Sequence, residues 1–130
     1  MVVYRLEHSN GIGPYQYDQH LELIAGSWAK IAKYHEYLDL LADMGRTHKR
    51  ETHPSPEHDG INCDDFRRDQ HFCGCKSLDD LQEWFGGFLP KLLNFGFKIN
   101  RYEVAKNKVA EGKHQVVFDK IAAKKLAEQK

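Results

Sequence analysis

The chain is poor in most features that announce a specialised partner. Its 130 residues carry no excess charge of either sign, with 19 Lys and Arg against 19 Asp and Glu. A neutral chain exerts no long-range pull on nucleic acid, an anionic membrane or an acidic substrate, so a charged partner must be met locally. No apolar run approaches the roughly 20 residues that span a bilayer. The opening MVVYRLEHSNGIGP also lacks the apolar core of a secretion signal. Cysteine is scarce and odd in number, three in all, and Cys73 and Cys75 are separated by one residue. Neither that count nor that spacing resembles a secreted disulfide framework. The GxSxG elbow, the GxxxxGK phosphate loop and HExxH are all missing. These absences imply a soluble cytoplasmic protein with no membrane partner and no indicated nucleic-acid partner.

What is present suffices for one domain, residues 1–130, with a single core. VVYRLE, residues 2–7, is β-branched and aromatic and predicts a strand with Arg5 and Glu7 on one face. The turn formers SNGIGP end it. From about His20 to Met44, Leu23, Ile24, Trp28, Ile31, Tyr34, Leu38 and Leu41 recur at spacings of three and four and predict a helical region, with Gly45 as its stop. Residues 46–70 hold few large apolar side chains and predict a long polar loop stiffened by His53-Pro54-Ser55-Pro56. A strand is expected over 71–76, and Ser77-Leu78-Asp79-Asp80 begins a helix as a capping box does. Gly86-Gly87 separates that helix from FLPKLLNF. Strands follow at 97–104 and 115–118, and KIAAKKLAEQK predicts an amphipathic terminal helix over 120–130. Helices and strands without regular alternation define an α+β class, with a small split antiparallel or mixed sheet flanked by helices.

His53, His58, Cys63, His71, Cys73 and Cys75 gather the ligand types zinc prefers, which makes a small zinc-binding module one alternative. Their spacing argues against it. Structural sites pair ligands on knuckles, whereas Cys73 and Cys75 share one face of an extended strand and suit packing. No metal ligand is assigned on this reading. Cys63 precedes Asp64 and Asp65, which disfavour its thiolate and any role as nucleophile.

Three pieces in order resemble the ADP-ribosyltransferase-like fold: the arginine-bearing strand VYRLEH, the strand with a serine-led helix HFCGCKSLDDLQEWF, and the late strand KHQVVF. The resemblance implies NAD or a related nucleotide as cofactor, and transfer of ADP-ribose to a macromolecule. It places Arg5 on the cofactor, Ser77 at the serine-bearing strand end, and Gln115 where the catalytic glutamate normally stands. A glutamine there gives up the charge that would stabilise the cation forming as nicotinamide leaves. Arg5 has a fork suited to phosphate oxygens, and equally to pairing with Glu7. His8 and the loop Gly11-Ile12-Gly13-Pro14-Tyr15 follow it, with Gly13 allowing close backbone approach and Tyr15 or Tyr17 able to stack on a ring. Bland readings stand beside these: an ordinary loop, and Ser77 as a helix cap. The order of YRLEH, GIGPY, HPSP, SLDDLQEWF, YEV and QVVF also looks like a group of small bacterial and phage proteins. A rival expectation, with which the neutral charge, the polar loop and Gln115 are compatible, is a non-catalytic inhibitor of phage origin that binds a host protein in the host cytoplasm.

Overall fold

The computed structural model describes residues 1–8, 11, 13–14, 28–48, 52–67 and 69–128, with the side chains of 28–34 outside the description. The first strand, β1 (Val2–Glu7), forms as its alternation predicts. Helix α1 (Trp28–Thr47) runs through Gly45 instead of stopping there. Gly45 is exposed and meets nothing, so it costs only its helix propensity, about 1 kcal/mol relative to alanine. Buried Tyr37, Leu40 and Met44 anchor the turns around it. The part of the expected helix before Trp28 lies outside the described residues.

Strand β2 (His71–Gly74) leads through Cys75 into α2 (Leu78–Phe85), followed by α3 (Phe88–Asn94) and β3 (Lys98–Glu103). Then come β4 (Val109–Glu111), β5 (Val116–Asp119) and β6 (Lys124–Lys125). The last of these corrects the expected terminal helix: residues 120–128 contain no helical turn. Asp119 Oδ1 accepts from the amides of Ile121 (3.1 Å) and Ala122 (3.2 Å) as a cap would. The chain is nevertheless drawn onto β3, where Leu126 N donates to Arg101 O at 2.8 Å. Cross-strand pairing outweighs the local helix pattern here.

The strands make two three-stranded sheets, β1-β3-β6 and β2-β5-β4 in spatial order. Every pairing among the described strands is antiparallel, so the split sheet is not a mixed one. One bridge joins the sheets: Tyr4 and Cys75 exchange both backbone hydrogen bonds at 2.8 Å. Tyr4 and Leu6 point from β1 toward a core of Tyr37, Met44, Leu81, Phe85, Leu92 and Phe97 under the helices. The opposite face of the same sheet presents Val3 and Tyr102 to Val116 and Phe118 of the other sheet. Two hydrophobic clusters thus lie on the two faces of the β1-β3-β6 sheet, in keeping with the period of two along a strand.

Gly74 sits where the sheets meet. A Cβ there would lie 2.5 Å from Val3 Cγ1 and 2.9 Å from Tyr4 O. Both neighbours are fixed, one in a core and one in the joining bridge. Gly74→Ala is therefore expected to cost about 3 kcal/mol through overpacking. A melting point within 2 °C of wild type, measured by circular dichroism, would show that the junction yields.

Candidate functional site

Alternation along β1 puts Arg5 and Glu7 on the face that meets the second sheet, where pairing with β3 brings Asn100 opposite Arg5. Glu7 has no exposed side-chain area. A carboxylate without water must find donors elsewhere, and this one finds four. Oε2 accepts from Arg5 Nε at 2.9 Å and from Lys120 Nζ at 2.5 Å. Oε1 accepts from Asn100 Nδ2 at 2.9 Å and from the Tyr102 hydroxyl. Burial pushes the Glu7 carboxyl upward, but the bonds from Lys120, Tyr102 and Asn100 and the charge of Arg5 outweigh it and hold the group below its ordinary value. Burial raises the Tyr102 phenol, as does its bond to Glu7, so the hydroxyl keeps its proton and donates.

The two cations share more than the carboxylate. The Arg5 guanidinium lies 4.9 Å from the Phe72 ring centre and Lys120 Nζ lies 5.1 Å from the same ring. Arg5 Nη1 also donates to Cys73 O at 2.8 Å, which ties β1 to β2. Gly11 and Gly13 lie against this cluster. A Cβ on Gly11 would come within 2.9 Å of Lys120 Nζ, and one on Gly13 within 2.9 Å of Arg5 Nη2. At Gly11 the backbone is also left-handed, with φ of 83°.

The residues singled out in the sequence go to different places. Arg5 and Gly13 meet, and the expected pairing of Arg5 with Glu7 is present. His8 Nε2 lies 3.0 Å from Phe95 O, and its ring packs edge-on against Phe97 at the end of α3. Ser77 Oγ accepts from Asp80 N at 3.1 Å and caps α2, as the bland reading has it. Gln115 is buried, and its Nε2 donates to Pro54 O at 2.7 Å. Tyr15 and Tyr17 lie outside the described residues. Asn100 and Tyr102 share a face of the expected strand 97–104, which was a usable signal. Lys120 had none, because only the folded chain brings position 120 to position 7.

A second polar centre fixes the long loop. Asp59, in a short 3-10 turn at Glu57–Asp59, accepts at Oδ2 from the amides of His114 (2.8 Å) and Gln115 (3.0 Å), while Oδ1 pairs with His114 Nδ1 at 2.8 Å. Burial opposes its charge, but the side-chain and backbone bonds from His114, the Gln115 amide and the charge of His114 leave it below the ordinary carboxylate range. The loop is held a second time by His53. That ring lies 2.6 Å from Trp84 O through Nε2 and stacks on His48 at 3.7 Å. Burial, and then the neighbouring His53, push His48 down to about 4.

Among the described residues no three His, Cys, Asp or Glu side chains are grouped to hold a metal ion. Burial pushes the Cys75 thiol up to about 12, with Asp80 and Cys73 adding to it, and the partly buried Cys63 thiol is raised as well, further by Glu57 and Asp64. No described helix is long and apolar enough to cross a membrane.

These features define a small α+β protein organised around a buried ion cluster, with its loops pinned to the strands by polar side chains. The chain belongs to the Bacteriophage T4 Y00F protein family, whose model matches residues 1–130. Comparison with curated proteins and with solved structures gives no match. The expectation of a phage protein is thereby met, at the level of the family.

Proposed function

We propose that this phage protein acts by binding a protein of the host cell, without covalent catalysis. The observation that supports this reading is the fate of Gln115. The residue at the resemblance's catalytic position is neutral and buried, and its side chain is bonded to Pro54 O. Its backbone amide is held by Asp59. Ser77, the other residue assigned to catalysis, spends its oxygen on the first turn of α2. Both have structural work that accounts for their presence.

The test is a paired one on extract of a susceptible bacterium. Tagged protein should capture one stoichiometric host protein, undiminished by Gln115→Ala, and should transfer no label from radiolabelled NAD. Labelled product that disappears with Gln115→Ala would replace binding with transfer.

A second reading, binding of NAD or a related nucleotide, draws support from the approach of Gly11 and Gly13 to Lys120 and Arg5. Glycine backbones beside cations suit a phosphate-bearing ligand. Titration calorimetry with NAD and with ADP-ribose, on wild type and Lys120→Ala, tests it; no heat with either ligand ends it.

A further inference from the structure

Neutral overall, the chain is strongly divided. Its first 96 residues hold ten Lys and Arg against fifteen Asp and Glu, and its last 34 hold nine against four. The fold then concentrates part of that positive half. Val104, Val109, Ala123 and Tyr102 all pack into the cluster between the two sheets. Each has a lysine close by in sequence or register: Lys106 and Lys108 lie between Val104 and Val109, and Lys124 follows Ala123. Lys125 stands opposite Tyr102 in the β3–β6 pairing. One hydrophobic cluster thus gathers four lysines from two distant segments at the same end of the molecule.

All four lysines are exposed, and none enters an ion pair among the described residues. Glu103, opposite Lys124, is the one carboxylate in the segments 102–109 and 122–126. We infer that this end of the molecule, with Lys125 on the inter-sheet side of β6, Lys124 on the other side, and Lys106 and Lys108 on the adjoining turn, docks the phosphate backbone of a nucleic-acid duplex without reading its sequence. Two properties of this end select that occupant. Lysine is depleted in protein–protein interfaces, whereas phosphate contacts rely on it. Single strands are held by stacking their bases on exposed aromatic rings, and the one aromatic residue in these segments, Tyr102, is buried. The surface goes beyond the host-protein reading and does not depend on it.

Fluorescence anisotropy with a labelled 20-base-pair DNA duplex, its RNA counterpart and the single strand tests the assignment. Four phosphate contacts predict that raising salt from 50 to 200 mM weakens duplex binding about 100-fold. Combined Lys106→Glu, Lys108→Glu, Lys124→Glu and Lys125→Glu should abolish binding at 50 mM salt with the circular dichroism spectrum retained. A fourfold alanine variant, which introduces no new charge, should weaken it at least 10-fold. Lys76→Glu with Lys91→Glu should leave it unchanged. Absence of duplex binding by wild type at 50 mM salt would overturn the inference, as would equal loss in the Lys76–Lys91 variant. Displacement of the duplex by an equimolar polyglutamate peptide would assign this end to an acidic protein instead. Host-protein capture is scored separately, so either proposal can fail while the other stands.

Discussion

Replacing Glu7 with glutamine is expected to destabilise the protein by about 3 to 5 kcal/mol, the usual cost of removing one charge from a buried ion group. The carboxylate takes four donors, two of them cationic, on a side chain with no exposed area. Glutamine keeps one acceptor and turns an NH2 toward groups that themselves donate. Arg5, buried, and Lys120, partly buried, would then be left without their shared counter-charge, and β1 would lose side-chain links to β3 and to the segment that follows β5. Equilibrium urea unfolding at pH 7 measures the loss; a change below 1 kcal/mol would mean that water or another carboxylate takes over. A Glu7→Gln and Lys120→Ala cycle should show coupling above 1 kcal/mol, because the two groups share one bond.

The same variant separates the pH dependence. Glu7 and Asp59 are both held below their ordinary carboxylate values in the folded chain. Depressed carboxylates contribute stability that is present above their unfolded values, about 4, and is lost as pH falls through the lower folded values. Wild type should therefore be at full strength near pH 6 and weaken steeply below about pH 4. Glu7→Gln starts lower and should fall less steeply over that acid range. Parallel curves for the two proteins would show that Glu7 is not linked to acid unfolding.

Whatever rests on local pattern was open to reading in the sequence. VVYRLE gives β1, the Ser77 cap with Leu81 and Phe85 gives α2, and VVF gives most of β5. The failures share one cause, which is structure made by a distant partner. β4 lies in the turn-rich AKNKVAEGKH and has no strand pattern of its own. It exists because β5 offers an edge and Asp59 holds the turn that follows it. β6 is two lysines in a stretch with a helical apolar spacing, captured by β3. The charge asymmetry was visible, but its meaning was not. Read as a helix, the terminal lysines are a solvated face; placed against β3, they join Lys106 and Lys108. The ion cluster was half legible for the same reason, with Arg5 and Glu7 two residues apart and Lys120 on a segment no spacing rule connects to them.

Asp59→Ala should cost about 3 kcal/mol, most of it from the buried Gln115 amide and the part-buried His114 amide left without an acceptor. The loss should be local in form. The His114 and Gln115 amides bond to this carboxylate, and the loop carbonyl of Asp59 accepts in turn from Lys113 N at 3.2 Å. Hydrogen exchange should therefore speed first at His114, Gln115 and Lys113, while β1 and β3 amides stay protected until global unfolding. Gly112 supplies the control. A Cβ at that position would lie 2.3 Å from Asp59 Oδ2 and 2.9 Å from Asp59 O, so Gly112→Ala alone drives the loop away from the turn. With Asp59→Ala already in place the closer of those collisions is gone. The double variant should thus lose less than the sum of the single losses, by at least 1 kcal/mol. Strict additivity would mean that carboxylate and glycine act independently, and that the loop is fastened chiefly by Pro54 and His53.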